Sequence, residues 1–436
     1  MHFSIPDAHQ ATDENGSSFW YFHIHVNGVY HCKQRYSQLD KFYEKLMNTY
    51  PDSMPSKLFP PKKLFSLSTD QLEERREQLE KFIQFISQDP ILGVSDEFNN
   101  FLLQAQQDDY DMEPTEVAVE IFLMNGNKVS VNVMTNDKND RVYEAAMNKI
   151  GLKEDFFYYF ALFMVEKVDN DEIRIVRKLQ DFESPYLSLK AVEQKPHRIV
   201  IRKNYWNSKY DEDLINDRVA MNLLYVQTVD DLDRGWVLCT NEQKSKLNDL
   251  QERNLRKEFL QMTSKLKFYG YTHYLPCKAN YPKDNSTVLM ASGNREFNIR
   301  VKTEDKKVME GSFVIQKIRS WRLSSTPDSE KKENLQFSFE YLFKKGDIRW
   351  INVESTQAVM MSMVMQGIVD EILREQSGKG IRKKGEEDTE SSIGSSDAVK
   401  KAVNHSEEKT NKTLKKKNNL KKNEVFASHD IGDDDL

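Results

Sequence analysis

Residues 35–75 read RYSQLDKFYEKLMNTYPDSMPSKLFPPKKLFSLSTDQLEER, and the placing of their cations decides how the first third of the chain is understood. Arg35-Tyr36-Ser37 closes a run rich in β-formers, and Ser37 with Asp40 reads as a capping box opening a helix. Leu39, Phe42, Tyr43, Leu46, Met47 and Tyr50 then recur at helical spacing and give that helix one apolar face. Residues 51–63 hold four prolines, so the chain between the helices is extended, Pro60-Pro61 above all. Arg75 sits early in a second helix, expected over 69–88 and stopped by Asp89-Pro90. Guanidinium groups grip a phosphate bidentately, which an ammonium does not. Ser37 adds a hydroxyl and free backbone N–H groups at a positive helix end. Tyr36 offers a ring face, and Lys62 a point charge held by two prolines. Taken singly, such cations are ordinary surface charges; together they make a candidate pocket for a phosphorylated ring.

Working outward, Ser18 to Val26 and Val29 to Tyr36 flank Asn27-Gly28, the strongest short-range hairpin signal. In a two-residue turn His25 faces Tyr30 and His23 faces Cys32. That puts three possible metal ligands on one strand face, but no fourth is evident and an aromatic-rich face is commonly packing, so no metal is expected. A third helix opens at Ser95 with Phe98, Phe101, Leu102 and Ala105 inward. Gln106 to Glu113 reads as a polar linker ending at Pro114.

Beyond it, alternating Val117, Val119, Ile121, Leu123 and Val129, Val131, Val133 flank a second Asn-Gly pair, Asn125-Gly126. A helix from Arg141 to Ile150 stops at Gly151, and strands return over 157–165, 173–176 and 198–202, as in a ubiquitin-like roll. Residues 211–274 turn helical. After Pro276 the chain reads as strands over 286–290, 296–301, 311–323, 335–343 and 348–353, closed by a helix through Met360, Met361, Val364, Ile368 and Leu373. From Ser377 onward the composition is that of a disordered tail. The class is therefore α+β and multidomain.

With 436 residues, two to four domains are expected. The net charge of −6 gives no basic field for nucleic acid. Three dispersed cysteines, Cys32, Cys239 and Cys277, suit a reducing compartment. The first residues lack the pattern of a signal peptide, and residues 358–373 are too short and too interrupted to span a bilayer, so membrane contact is expected to be peripheral. Enzyme signatures are wanting. His31-Cys32-Lys33 begins like a phospholipase D motif, yet Gln38 stands where that motif needs Asp. There is no P-loop, Gly-rich kinase loop, His-Glu-x-x-His or Gly-x-Ser-x-Gly.

The order of a basic residue, Tyr, Ser, a Pro-Pro-x-Lys-type loop and a later Arg resembles the phox-homology (PX) domain of sorting nexins. Gln34 departs from many members, which carry a second basic residue there; Lys33 lies one step back. The resemblance implies phosphatidylinositol 3-phosphate as ligand. Arg35 and Ser37 would hold its 3-phosphate, Tyr36 would stack on the inositol, Lys62 would meet the 1-phosphate and Arg75 the 4- and 5-hydroxyls. Leu64, Phe65 and Leu67 would either enter the headgroup layer or pack in the core. The layout that follows resembles a FERM domain, and FPPKKLFSL (59–67), RREQLEK (75–81), Trp321-Arg322 and Phe339-Glu340-Tyr341-Leu342 liken the whole to the PX–FERM sorting nexins.

This implies a PX domain over 1–109, a ubiquitin-like F1 lobe over 115–205, a helical F2 lobe over 206–275, a phosphotyrosine-binding-like F3 lobe over 276–375 and a disordered tail over 376–436. An F3 lobe of that kind would take Asn-Pro-x-Tyr or Asn-x-x-Tyr tails of transmembrane receptors, of the LDL-receptor family and integrin β type, by strand addition. The edge would be 311–323, with Trp321 as anchor and Val369 on the closing helix. Ile431, Gly432, Asp433, Asp434, Asp435 and Leu436 would dock the Retriever recycling complex. The expected protein is a non-enzymatic adaptor without cofactor, in the cytoplasm and on the cytoplasmic face of early endosomes, returning receptors to the surface instead of to lysosomes. A FERM-type membrane–cytoskeleton linker is the alternative.

Overall fold

The structure is a computed structural model that describes residues 1–383 except 56, 64–66, 169–171, 193, 303–307 and 327–333, together with 427 and 428. The tail motif 431–436, and Leu64 and Phe65 of the proline loop, lie outside the described residues.

Asn27 and Gly28 both take positive φ (50° and 78°), which closes the first hairpin in the tight form its two-residue turn requires. The sheet is larger than the hairpin: β1 (Phe3–Ser4) and β2 (Ala8–Thr12) both pair with β3 (Ser18–Val26), and β4 (Val29–Arg35) completes it. A bulge next to Ile24 changes the expected facing. His23 stands opposite Lys33, and Cys32 opposite Ile24 inside the core, so His23 and Cys32 do not share a face. His23 instead bonds Asp7 and His9. No group of three or more His, Cys, Asp or Glu side chains among the described residues is placed to hold a metal.

Three helices cover the sheet. The first, α1 (Tyr36–Thr49), starts two residues earlier than its sequence suggests: Arg35 is the N-cap, and its N–H donates to Gln38 Oε1 at 2.8 Å, displacing the Ser37/Asp40 box. α2 (Thr69–Gln88) is capped by Ser68 with Gln71, and buries Leu79, Phe82, Ile83 and Ile86 completely. Burying four such side chains is worth about 6–12 kcal/mol against leaving them exposed, far more than helix-propensity differences of at most ~0.7 kcal/mol per residue. α3 (Asp96–Tyr110) runs through half of the expected linker.

The next lobe is a five-stranded sheet, β5 (Glu116–Phe122), β6 (Lys128–Met134), β7 (Phe160–Lys167), β8 (Ile173–Lys178) and β9 (His197–Lys203), in the order β6-β5-β9-β7-β8. Its β5–β9 pair is parallel and the others antiparallel, as a ubiquitin-like roll requires. α4 (Asn139–Ile150), ended by Gly151 at φ 78°, packs on it, and α5 (Pro185–Lys190) was not evident from periodicity. The helical lobe is α6 (Asp211–Leu214), α7 (Arg218–Asp233), α8 (Asn241–Glu252) and α9 (Arg256–Thr263).

The last lobe folds β10 (Thr272–His273), β11 (Cys277–Ala279), β12 (Ser286–Gly293), β13 (Glu296–Lys302), β14 (Val308–Val314), β15 (Ile318–Thr326), β16 (Asn334–Lys344) and β17 (Asp347–Glu354) into two facing layers, closed by α10 (Ala358–Gln376). Phe297 meets Phe337 at 5.6 Å, and Phe313 meets Phe339 at 5.2 Å, across the core between the layers. A short β18 (Ala427–Ser428) pairs with β14. The single strand expected over 311–323 is two. A 3-10 turn, Ile315–Lys317, breaks it, with Ile315 N–H donating to Arg295 O, and the two halves lie far apart in strand order.

Gln106, fully buried, joins the first unit to the second. Its amide nitrogen donates to Ser188 Oγ at 3.1 Å and its carbonyl accepts from Ser184 N–H at 2.8 Å. Ser188 Oγ in turn donates to Glu183, which pairs with the buried Arg177. Burial alone would raise the Glu183 carboxyl; the Arg177 guanidinium outweighs it and leaves it lowered. A connection that spends so many buried polar groups on each other is not a loose tether.

Candidate functional site

Tyr36 and Arg75 meet on the proline loop that carries Lys62, while Arg35, the residue before Tyr36, directs its guanidinium to Phe19 of β3. Tyr36 hydroxyl donates to Pro60 O at 2.7 Å, and Arg75 Nη2 to Pro61 O at 3.1 Å, so strand end and second helix clamp the same two residues. The Arg75 guanidinium lies 4.3 Å from the Tyr36 ring centre, and that of Arg35 lies 3.7 Å from Phe19. Burial lowers the Arg75 pKa from its usual value and raises that of Tyr36, the mark of a partly enclosed pocket. Tyr36 already carries Arg75 over its ring, so an inositol stacking there must use the other face. Ser37 is exposed at the second position of α1, where backbone N–H groups lack helical partners.

Lys62 is occupied. Its ammonium sits 2.6 Å from Asp40 and 4.0 Å from Glu44. An arriving phosphate must compete with those carboxylates. Arg35 has no ion pair with a carboxylate among the described residues, so its charge is the more available. Gln34 is buried against the core side of β4, whereas Lys33 pairs with Asp109 at 3.1 Å. Phe19 and Asp40 were missed as pocket residues. Asp40 had a readable signal, one helical turn beyond Tyr36.

On the far lobe, β15 ends its sheet among the described residues: it pairs with β16 on one side, and its other edge runs beside α10. Trp321, 9% exposed, donates from its indole to Ser362 Oγ at 3.2 Å and thereby ties strand to helix. Val369 is 1% exposed and packs inside the lobe, so this side chain is core and does not face the groove. The groove side of α10 is formed by Val359, Ser362, Met363 and Gln366, whose spacing of three and four puts them on one face. The same spacing is present in the sequence, where periodicity alone does not separate this face of the helix from its core face.

No helix among the described residues is long and apolar enough to cross a membrane.

Comparison with known families agrees with this layout. Residues 22–105 match the PX domain model, residues 117–206 the F1 lobe of the sorting nexin 17/27/31 FERM domain, residues 207–267 the F2 lobe of the sorting nexin 17/31 FERM domain, and residues 270–373 the sorting nexin 17 FERM C-terminal domain. The chain is 43% identical to sorting nexin-17 of Danio rerio over 395 residues, covering 88% of this chain and 83% of that protein. It is likewise 43% identical to sorting nexin-17 of Homo sapiens over 396 residues, covering 88% and 84%. Sorting nexin-31 of Homo sapiens is 30% identical over 379 residues, covering 85% and 86%. With a PX domain followed by three FERM lobes in the same order, the chain belongs to the sorting nexin 17 family.

Proposed function

We propose that the chain is a non-enzymatic endosomal cargo adaptor. Its PX domain reads phosphatidylinositol 3-phosphate on the cytoplasmic face of early endosomes, with Arg35, Ser37 and Lys62 on phosphates, Tyr36 under the ring and Arg75 on hydroxyls. The open edge of β15, with Trp321 beneath it, takes Asn-Pro-x-Tyr or Asn-x-x-Tyr segments of receptor tails, of the LDL-receptor family and integrin β kind. Backbone bonds to a sheet edge supply affinity, and the groove against α10 supplies selectivity. Residues Ile431 to Leu436 recruit the Retriever complex, so bound receptors return to the surface. No catalytic step is assigned to any residue.

The clamping of the Lys62-bearing proline loop by Tyr36 and Arg75, with Arg35 next to Tyr36 in sequence, supports this reading. Flotation of the full chain on liposomes, each containing one phosphoinositide, tests it. Binding to phosphatidylinositol 3-phosphate is expected, and Arg35→Ala should weaken it about tenfold or more, because a charge-assisted hydrogen bond is worth ~1.5–3 kcal/mol. Equal flotation of parent and variant contradicts the pocket.

A further inference from the structure

Helix α2 serves two places. Arg75, near its start, lies at the headgroup pocket, and the helix then runs on for thirteen residues to Gln88, about 20 Å at 1.5 Å per residue. Its second half borders the groove of the last lobe. Lys81, Gln84, Phe85 and Gln88, spaced so as to share one helix face, line one wall of a cleft of about 600 Å³. The opposite wall is Trp321, Arg322 and Leu323 of β15 with Ser362, Met363 and Gln366 of α10. The two units are held in this relation. Phe3 N–H donates to Gln84 Oε1 and Ile5 N–H to Glu80 Oε2, both at 2.7 Å, which ties the first strand to α2. The Asn27-Gly28 turn rests on α10, so close that a Cβ on Gly28 would meet Val359 at 3.5 Å.

We infer that the PX domain supplies one wall of the cargo groove, and that Lys81 selects receptor tails bearing an acidic residue beside the tyrosine motif. This rests on the proposed use of the β15 edge. An extended peptide is the occupant that such an edge admits, since an unpaired strand offers a row of backbone donors and acceptors. The charge follows from which groups in the cleft are already used. Glu80 accepts from Ile5 N–H and lies 3.5 Å from Arg76, so its negative charge is met within the PX domain. Lys81, with 72% of its side chain exposed, has among the described residues only Glu77 as ion-pair partner, at 3.8 Å and one helical turn away. Arg322 borders the cleft, but alternation along β15 turns its guanidinium to the outer sheet face, over Trp350 at 4.6 Å, so the available charge is that of Lys81. The uncommitted charge of the cleft is positive, and an exposed i,i+4 pair yields readily to a better-placed carboxylate.

Calorimetry with the full chain and a tyrosine-motif peptide tests this. A single Glu is moved through the positions flanking the motif and compared with the alanine parent. At one flanking position Glu should tighten binding about two- to fivefold, the range of one partly exposed ion pair. Lys81→Glu should abolish that gain, and a Lys at the same peptide position should restore it, while liposome binding is unchanged. If Lys81→Glu alters no peptide's affinity while Trp321→Ala weakens all of them, the groove stands and the PX wall is not part of it. If Trp321→Ala also has no effect, the peptide edge itself is misplaced and this inference goes with it.

Discussion

At Arg35 a strand ends and a helix begins, so one residue supplies both a helix cap and a guanidinium, set over Phe19, that pairs with no carboxylate among the described residues. Lys62 has the same formal charge but spends it on Asp40 at 2.6 Å. A phosphate that takes Lys62 gains one contact and breaks another. Lys62→Ala should therefore weaken liposome binding less than Arg35→Ala, and equal losses would show that the Asp40 pair is open on the membrane. A second residue links structure to pH. His273 is buried, stacked on Trp236 at 5.5 Å, and its pKa falls from 6.5 to about 3, first through burial and then through the charges of Arg300 and Arg202. The folded pKa lies below the unfolded one, so the unfolded chain takes up the proton first as pH falls. Its contribution is intact above 6.5 and is lost progressively below it, by about 2 kcal/mol at pH 5. His2 and His25, both lowered to about 4 by burial, act in the same direction. Urea midpoints of His273→Gln should thus fall less between pH 7.5 and pH 5 than those of the parent; an equal fall removes His273 as a cause.

At the scale of elements, α10 is the helix on which the other lobes converge. Trp206, between the ubiquitin-like and helical lobes, lies so close to Gly367 that an added Cβ would clash with its ring, and Glu371 accepts from Trp206 N–H and Asn207 N–H at 3.1 Å. Gly367→Ala should cost about 1–3 kcal/mol in chemical denaturation, as overpacking does; a neutral result means that Trp206 can step aside. Elements like α2 were legible because Leu79, Phe82, Ile83 and Ile86 declare one face and Asp89-Pro90 ends it. The start of α1 was not, because a capping box at Ser37 and one at Arg35 look alike until Gln38 is seen bonding the Arg35 N–H. Strand breaks hide for a similar reason. Ile315–Lys317 has strand-like composition, and only its bond to Arg295, twenty residues away in sequence, turns the chain. The candidate pocket residues lie within 41 residues, 35–75, and of these Tyr36 and Arg75 do meet on the loop that carries Lys62. The groove was less legible: Val369 and Met363 are both apolar positions on α10, and only the folded lobe shows that Val369 packs inside while Met363 lines the cleft.

Across the whole molecule, the proposed headgroup pocket lies at one end of α2 and the proposed peptide edge near the other. The buried Gln106–Ser188–Glu183–Arg177 network and the Gly28–Val359 contact hold the PX domain against the FERM lobes. Two contacts on a rigid body reinforce each other. Once the lipid retains the protein, a receptor tail in the same membrane is met at high effective concentration, and avidity can exceed either affinity by about 10²–10⁴. The most direct measurement is retention of the full chain on liposomes bearing phosphatidylinositol 3-phosphate, a membrane-anchored tyrosine-motif peptide, or both. The coupled adaptor predicts that vesicles with both bind at least tenfold more tightly than either alone, with the gain lost in Arg35→Ala and in Trp321→Ala. Binding no tighter than to the better single ligand would contradict it.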